Sequence, residues 1–562
     1  MFKDDLSIVL CGEAGQGIQT VEKFLTRVLK FDGFNVYATK EYMSRVRGGF
    51  NSTEIRVSSK NVKAFVNRID ILVTLKKGAI QHLKNRVDDH TIILGEASNV
   101  DDGYKFIEVP FTKIATEIGD KIFSNTVGVG TLSAVIGVDF KTLEKYLEEF
   151  FERKGKDIVN KNVEAAKRGF EIGEGLVKQG KIKVEIKKDP DIKDDLLLDG
   201  ASAIGLGAIA GGCNFISSYP MTPSTGILTF LAEHAKEFGI VAEQAEDEIS
   251  AVNMAIGAWY AGSRAMVTTA GGGFALMVEG MSLAGMIESP LVVNLGQRPA
   301  PATGLPTRTE QGDLLFALYS GHGEFPKILL APGTLEDAFY LTQKAFYFAD
   351  KFQVPVIILS DQYLVDSYYN ISNLEIPKAQ PQKFIVETSK DYKRYQLVES
   401  GISPRGIPGG AGLVDVDSDE HDESGHITED LDIRVKMVEK RLKKFDAIRA
   451  EVIPPELIGP KNYETLVVGW GSTYPMIREA IENIGDKKMA FLHFKQVYPV
   501  HPDAKEYLQS AKKKIIVENN ATSQFGQILK LETGMNFDVK ILKYNGMPFS
   551  VEELVLRLKE GR

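Results

Sequence analysis

The chain has 562 residues, of which 43% are hydrophobic and 25% are charged, and its formal net charge at pH 7 is −9. This negative balance disfavours nucleic acid as the main partner, because phosphate binding requires clustered Lys and Arg. No apolar run reaches the ~20 residues that span a bilayer, and the start of the chain is too short and too acidic for a signal peptide. We therefore expect a cytoplasmic protein of three or four domains that contacts neither nucleic acid nor membrane.

The segment 1–180 alternates strand-like and helix-like patterns, which predicts an α/β domain with a parallel sheet. An apolar strand at Leu6–Leu10 precedes the turn GEAGQG and a helical pattern over Ile18–Phe31. Backbone NH groups in such a turn can bind an anion. The candidate anion-binding residues are therefore Gly12, Gly15 and Gly17, and a plain strand-to-helix turn is the alternative.

Two arginines, Arg45 and Arg47, follow in the stretch YMSRVRGGF. Their guanidinium groups can hold a phosphate or a carboxylate, whereas the alternative is a solvated surface turn. The next stretch, 181–195, is rich in Lys and Asp and is predicted to be a linker.

A second α/β domain is predicted over 196–386, with strands that include 215–218, 264–268, 291–294 and 355–359. The loop YPMTP follows the first of these strands, and Pro220 and Pro223 stiffen it. Thr222 is then held at the carboxyl end of a parallel strand, where α/β folds place ligands. The alternative is a loop that only caps the next helix.

An acid, Glu248, stands at the head of a helix of small residues in EDEISAVNMAIGAWYAG. Because acids at helix N-termini favour the helix dipole, helix stabilisation is its ordinary interpretation. The functional interpretation is a partly buried carboxylate directed at a ring nitrogen of a ligand. The stretch TTAGGGFALMVEG follows, in which Gly271 and Gly272 allow a ligand to approach the backbone closely.

The loop NLGQRPAPATGLPTRTEQGD carries Arg298 and Arg308 between prolines and glycines. Guanidinium groups suit bidentate capture of a carboxylate. A single arginine in a loop is usually solvated, but two in one stiffened loop after a strand favour a carboxylate site.

The rest of the chain is predicted to contain an acidic insert and a charged helix over 387–460, followed by a C-terminal α/β domain over 461–562 that opens with TLVVGWGS. His421 and His426 lie among the acids of the insert, where a solvated or interface loop is favoured over a metal site. We therefore predict no metal site in this chain. The two cysteines, Cys11 and Cys213, show no CxxC spacing, and an iron–sulfur cluster usually takes four thiolates, so the chain cannot hold a cluster alone.

Together these motifs resemble the α subunit of 2-oxoacid:ferredoxin oxidoreductases with a γ domain fused in front. YPMTP is similar to the family's YPITP, and TTAGGGFALM is similar to TSGPGFSLM, with Gly272 in place of Pro. GQRPAPATGLPTRTEQGDL is similar to the family loop that receives the substrate carboxylate. GEAGQG and RVRGGF resemble γ-domain motifs, DSDEHDESGHITED resembles an acidic family insert, and VENN and GWGS resemble the C-terminal domain.

The resemblance implies a thiamine-diphosphate enzyme that oxidatively decarboxylates a 2-oxoacid to an acyl-CoA and CO2 and reduces ferredoxin. 2-Oxoglutarate is the first choice of substrate, with pyruvate or a broad range as alternatives. The implied fold is α/β, with a thiamine-enzyme pyrimidine-binding domain and a transketolase C-terminal-like domain. Since no GDG motif occurs in the chain, the resemblance assigns the diphosphate site, Mg²⁺ and a [4Fe–4S] cluster to a partner β subunit in an (αβ)2 assembly.

By the same resemblance, Glu248 is the carboxylate that activates the cofactor, and Thr222, Arg298 and Arg308 bind the substrate. The other implied cofactor contacts are Tyr219, Pro220, Thr222, Gly271 and Gly272, and coenzyme A is the implied co-substrate. Two alternatives come from other classes. A non-redox thiamine enzyme would share Glu248 but lack the N-terminal domain, and a nucleotide-binding acyl-transfer or regulatory protein would not need YPMTP, Glu248 and the arginine loop together.

Overall fold

The computed structural model describes residues 2–13, 18–44, 49–376 and 381–561. It divides the chain into two compact units, Met1–Asp199 with Asp366–Leu374, and Gly200–Val365 with Glu375–Arg562. The stretch 181–195, which we predicted to be a linker, lies inside the first unit. Ile182 and Ile192 are buried there, so two apolar side chains anchor a segment whose composition is otherwise polar.

The strands, in chain order, are β1 Phe2–Lys3, β2 Asp5–Glu13, β3 Asn35–Glu41, β4 Phe50–Ser58, β5 Ile71–Thr74, β6 Ile92–Gly95, β7 Ile107–Glu108, β8 Val184–Glu185, β9 Leu196–Asp199, β10 Phe215–Ser218, β11 Val241–Gln244, β12 Ala265–Ala270, β13 Leu291–Gln297, β14 Ile328–Leu330, β15 Pro355–Asp361, β16 Tyr368–Ile371, β17 Glu456–Ile458, β18 Thr465–Trp470, β19 Met489–Phe494, β20 Gln496–Tyr498, β21 Lys513–Glu518 and β22 Val539–Leu542.

The α-helices are α1 Ile18–Phe31, α2 Ala79–His82, α3 Phe111–Ile118, α4 Ser124–Ile136, α5 Phe140–Phe151, α6 Lys156–Lys178, α7 Gly200–Ala210, α8 Thr225–Glu233, α9 Ala235–Phe238, α10 Glu248–Tyr260, α11 Gly271–Leu276, α12 Val278–Met286, α13 Leu314–Tyr319, α14 Leu335–Phe352, α15 Gln362–Asp366, α16 Leu431–Arg449, α17 Tyr474–Ile484, α18 Ala504–Ser510, α19 Gln524–Thr533 and α20 Val551–Glu560.

The main sheet of the first unit has the strand order β7-β6-β5-β2-β4-β3-β16-β9. The strands β7, β6, β5 and β2 are parallel, whereas β4, β3, β16 and β9 pair antiparallel with their neighbours. The sheet is therefore mixed, whereas the sequence predicted a parallel one. The sequence of β4, FNSTEIRVS, is too polar to predict as a strand, yet Glu54 and Arg56 are buried in it because they pair with Arg86 and Asp5.

The second unit contains a sheet of order β11-β10-β12-β13-β15-β14-β20 and a C-terminal sheet of order β17-β19-β18-β21-β22. In the first of these, all neighbours are parallel except β14 and β20. The central strands β12, β13 and β15 are buried along their whole length, as continuous apolar runs require in a sheet covered on both faces. The predicted α/β class with several mostly parallel sheets is confirmed.

The acidic insert ends in the helix α16, which packs against the second unit through charged side chains. The ammonium nitrogens of Lys440 and Lys444 each lie 2.6 Å from a carboxylate oxygen of the buried Glu288. His421 is also buried, and its ring lies 3.9 Å from that of Tyr395, centroid to centroid. At His421 the insert is therefore packed within the unit, which excludes the solvated half of the predicted solvated or interface loop for this residue.

Within the described ranges, no helix is long and apolar enough to cross a bilayer. Among the same residues, no group of three or more His, Cys, Asp or Glu side chains is placed to hold a metal ion. Cys11 and Cys213 are both buried and unpaired. Burial raises the pKa of each thiol to about 12, so neither behaves as a reactive thiolate.

Candidate active site

Four neighbouring parallel strands bring the predicted site residues of the second unit to one edge of its sheet. The strands lie in the order β11-β10-β12-β13, and parallel strands end at the same edge. The YPMTP loop follows β10, the glycine turn follows β12, Arg298 follows β13, and Glu248 comes shortly after β11. This carboxyl edge is where open α/β sheets bind their ligands.

The loop that carries Thr222 is fixed from two sides. The Ser224 hydroxyl donates a hydrogen bond of 2.5 Å to the carbonyl of Thr269 at the end of β12. The Arg298 guanidinium donates one of 2.7 Å to the carbonyl of Thr222. Gly296 makes this packing possible, because a Cβ there would lie 2.5 Å from the Ser224 hydroxyl oxygen. Arg298 and Thr222, two predicted substrate contacts, are thus neighbours.

Glu248 is the first residue of α10 and is only 3% exposed. The preceding Asp247 caps the helix by accepting a hydrogen bond of 2.7 Å from the backbone NH of Ser250. The helix therefore does not depend on Glu248 for its cap. The Oε1 atom of Glu248 is buried without a hydrogen-bond partner among the residues that the structure describes. A buried carboxylate oxygen left unpaired is costly, which indicates a ligand partner.

The glycine turn supplies the space beside this carboxylate. A Cβ on Gly273 would lie 2.4 Å from Glu248 Oε1 and 2.2 Å from the Thr269 hydroxyl oxygen, so no other residue fits there without displacing the acid. Gly272 faces open space, with no atom within 4 Å of its Cβ position. Gly271 faces a different acid, because its Cβ position lies 2.8 Å from Asp313 Oδ2.

Asp313 is a site residue that the sequence reasoning missed. It is 6% exposed, and its Oδ2 atom has no partner in the described part of the chain. Burial raises the pKa of Asp313 to about 6, although the nearby charge of Arg298 acts in the opposite direction. Burial and the Asp313 charge also raise the pKa of Glu310, to about 7. Clustered acids with raised pKa values are typical of functional sites. The usable signal was the pair of acids at the end of the arginine loop, directly before α13.

Arg308 lies in a different environment from Arg298. Its Nη1 atom is 3.4 Å from the Met547 sulfur, and the neighbouring Thr309 NH donates a hydrogen bond of 3.1 Å to the Gly546 carbonyl. The tip of the arginine loop is therefore held by the segment that follows β22, whereas Arg298 lies against the YPMTP loop. The contacts described for the two arginines differ, since Arg298 donates to the Thr222 carbonyl and Arg308 lies against Met547.

The structure describes only one of the candidate anion-binding residues of the first unit. Gly12 lies inside β2, where it pairs with Asn51 of β4. Gly15, Gly17, Arg45 and Arg47 lie outside the described residues. The anion or coenzyme A role of this group stays a prediction.

The raised pKa of Asp313 leads to a prediction about stability and pH. The folded chain holds a proton on this carboxyl that the unfolded chain releases between the ordinary pKa of 3.8 and about 6. Stability should therefore fall as the pH rises through this window. The difference between the ordinary and the folded pKa of Asp313 corresponds to a loss of about 3 kcal/mol at most in the free energy of unfolding. Asp313→Asn should flatten this part of the profile, as measured by denaturant unfolding at pH 4, 5, 6 and 7.

The matched control is Asp391→Asn, which changes an exposed acid of the same unit. In this control, the free energy of unfolding should change with pH between pH 4 and pH 6 as it does in the unchanged chain. An Asp313→Asn profile that is parallel to that of the control would show that Asp313 does not hold the proton.

Comparisons with known proteins agree with this geometry. Residues 206–440 match the family model described as "Pyruvate flavodoxin/ferredoxin oxidoreductase, thiamine diP-bdg". Residues 7–172 match the model described as "Pyruvate ferredoxin/flavodoxin oxidoreductase". The first match contains every site residue discussed for the second unit, and the second lies within the first unit.

Full-length relatives are similar as well. A 2-oxoacid:ferredoxin oxidoreductase subunit alpha from Sulfolobus sp is 33% identical, with 98% of this chain and 96% of the relative covered. A 2-oxoglutarate synthase subunit KorA from Archaeoglobus fulgidus is 35% identical over 64% of this chain and 97% of the relative. A solved 2-oxoglutarate:ferredoxin oxidoreductase from Magnetococcus marinus, with 2-oxoglutarate, coenzyme A and succinyl-CoA bound, superimposes with a TM-score of 0.93 at 30% identity, with 99% of each chain covered.

Proposed function

The chain belongs to the 2-oxoacid:ferredoxin oxidoreductases, as an alpha-type subunit, and from this premise we propose that its substrate is 2-oxoglutarate. The proposed reaction joins the oxoacid and coenzyme A, releases CO2, and passes two electrons to oxidised ferredoxin, so that the product is succinyl-CoA. Support for this substrate comes from the KorA relative and from the oxoacid bound in the Magnetococcus marinus enzyme. Pyruvate or a broader range of oxoacids is the second choice.

The observation that carries the proposal is the buried, unpaired carboxylate oxygen of Glu248 beside the glycine turn. An aminopyrimidine ring needs such a partner for one ring nitrogen. Gly273 leaves room for the Glu248 carboxylate, and Gly272 faces open space that a flat ring can occupy. The residues present therefore fit the pyrimidine half of thiamine diphosphate, with Tyr219, Pro220 and Gly271 as further contacts. When bound, that cofactor supplies the carbon nucleophile and electron sink that decarboxylation of a 2-oxoacid requires.

The chain's own residues would perform two tasks. Glu248 would hold a proton between its Oε1 atom and the ring nitrogen, which is general acid–base work by a group shielded from water. Thr222 and an arginine would orient the substrate carboxylate. Arg308 is our first choice for that contact, because Arg298 already donates to the Thr222 carbonyl and can act by holding that loop in place.

We also propose a β subunit that supplies the diphosphate site, Mg²⁺ and a [4Fe–4S] cluster in an (αβ)2 assembly. Two observations support it. The chain has two cysteines, both buried and neither reactive, which is too few for a cluster. Large apolar side chains near the site in sequence are also exposed by 41 to 50%, and such side chains often mark a protein interface. They are Tyr219, Ile249, Leu276 and Leu305.

The first unit would then contribute to the binding of coenzyme A. Its match to a family model of the same class of enzyme and its glycine-rich sequence GEAGQG support this proposal, because backbone NH groups of such a sequence can bind an anion. The proposed residues are Gly12, Gly15, Gly17, Arg45 and Arg47.

The test is an assay of the complex purified after co-expression with a candidate β subunit, chosen as a chain that carries a GDG motif and several cysteines. We expect reduction of a viologen dye that requires both a 2-oxoacid and coenzyme A, with the highest kcat/KM for 2-oxoglutarate. The isolated chain should be colourless and inactive. A brown isolated chain would contradict the assignment of the cluster to the partner, and dye reduction that needs no coenzyme A would contradict the proposed reaction.

A further inference from the structure

A small pocket lies at the end of α10 opposite to Glu248. Its walls include Trp259 and Tyr260 from the last turn of that helix and Pro290 directly before β13. The first part of the insert closes it with Arg394 and Arg405. The pocket is therefore at the amino edge of the sheet, on the side away from the candidate active site.

The charged side chains around this pocket do not balance. Within the described part of the second unit, five buried cations lie around two buried acids, Glu288 and Asp350, while a sixth, Arg441, is matched by its own partner Glu420. Lys440 and Lys444 pair with Glu288, and Arg264 and Arg405 pair with Asp350. Arg394 donates instead to a neutral group, the carbonyl of Glu288, at 2.8 Å. If all of these groups are ionised, the cluster has a net charge of +3, and burial of unmatched charge is costly.

Both arginines of the pocket have unused donors. Arg405 donates to the Trp259 carbonyl at 3.1 Å and pairs with Asp350 through its other terminal nitrogen, but its Nε atom has no partner. Arg394 Nη1 likewise has no partner among the described residues. The two arginines are 4% and 3% exposed, so water at the protein surface does not solvate these NH groups.

The other described residues of the pocket wall provide no negatively charged acceptor for these NH groups. Ile287, Pro290 and Val416 contribute apolar surface, and no Asp or Glu is among the described residues that line the pocket. The Ser289 hydroxyl already donates to the Pro290 carbonyl at 3.0 Å. The pocket admits about one water-sized occupant. A site with cationic NH donors, apolar walls and this size suits a single small anion, because a larger oxyanion does not fit and a neutral water leaves the charge uncompensated.

We propose that this pocket is a halide site, occupied by chloride, that is held by Arg394 Nη1 and Arg405 Nε. The site is independent of the proposed catalytic function. The bound ion joins the loop around Ile287, the end of α10 and the first part of the insert, so it stabilises the packing of the insert on the domain. Any ligand that binds only the folded state shifts the folding equilibrium by mass action.

The first test is unfolding of the full-length chain, in complex with its co-purified subunit, at constant ionic strength with chloride exchanged for gluconate. Above the dissociation constant, each tenfold rise in chloride should raise the apparent folding equilibrium constant by up to tenfold for one site. Bromide should replace chloride. Equal stability in chloride and gluconate would overturn the proposal.

Variants and diffraction make the test specific. Arg394→Gln should abolish the chloride dependence, whereas Arg434→Gln, which changes an exposed arginine on α16, should retain it. If Arg394→Gln does not fold, anomalous diffraction from crystals of the unchanged protein grown in bromide gives the answer. A bromide peak within hydrogen-bond distance of Arg394 and Arg405 supports the site, and a featureless pocket or one that holds only water rejects it.

Discussion

Glu248→Gln is expected to lower turnover of the assembled complex by at least ~10²-fold, the scale of a general acid–base contribution. The amide has the same shape and fills the same buried position at the head of α10, but it cannot share a proton with a ring nitrogen in the same way. The helix cap is Asp247 and not Glu248, so folding and assembly should be retained. The measurement is kcat with saturating 2-oxoglutarate and coenzyme A, together with the elution volume of the complex.

The matched control for this change is Glu279→Gln, which alters an exposed acid in the first turn of α12. It should turn over at the normal rate. Near-normal turnover of a folded Glu248→Gln complex would end the assignment of Glu248 as the activating carboxylate. A complex that fails to assemble would instead place Glu248 in the structural packing of the site.

Arg308→Ala should lower kcat/KM by roughly tenfold to over a hundredfold. The reason is the loss of a charge-assisted contact worth about 1.5–3 kcal/mol. Arg308→Lys should restore little of the lost kcat/KM. A lysine ammonium is a point charge, whereas the arginine guanidinium can hold a carboxylate through two parallel hydrogen bonds. Arg298→Ala should also lower kcat/KM, because the Thr222 carbonyl loses its 2.7 Å hydrogen bond. The assay is a substrate series at saturating coenzyme A.

The series separates two roles for Arg308. If it holds the carboxylate next to the keto group, every 2-oxoacid loses the same factor, whereas a loss confined to 2-oxoglutarate means that it binds the distal carboxylate. Arg478→Ala, on the outer face of α17 with an exposed partner, serves as the control. Normal kcat/KM in both Arg298→Ala and Arg308→Ala would place the carboxylate contact on another residue or on the partner subunit.

The sequence predicted the part of the site in which Pro- and Gly-rich loops directly follow an apolar strand. The strands β10, β12 and β13 are buried along most of their length, and the YPMTP, glycine and arginine motifs each begin where one of them ends. Parallel pairing then brings the motifs to one edge without further information. The lack of a partner for Glu248 Oε1 and the close approach of Gly273 to Glu248 depend on tertiary structure, so no local sequence pattern predicts them.

The failures of prediction have a common cause, which is burial of polar residues by partners distant in the chain. Asp313 is an ordinary loop acid in the sequence, and only the fold places it against Gly271 in a buried position. β4 was missed because the ion pairs that bury Glu54 and Arg56 involve residues 32 and 51 positions away. The burial of His421, which was predicted only to lie in a solvated or interface loop, likewise depends on a residue distant in the chain, Tyr395.

The central claim is that Glu248 activates the cofactor, and exchange of the proton on the thiazolium carbon tests it most directly. The complex with bound thiamine diphosphate is placed in deuterated buffer, quenched with acid, and its cofactor is analysed by NMR. We predict exchange at least as fast as turnover in the unchanged complex, and exchange at least ~10²-fold slower in Glu248→Gln. Equal exchange rates in the two complexes, with the cofactor bound in both, would contradict the account.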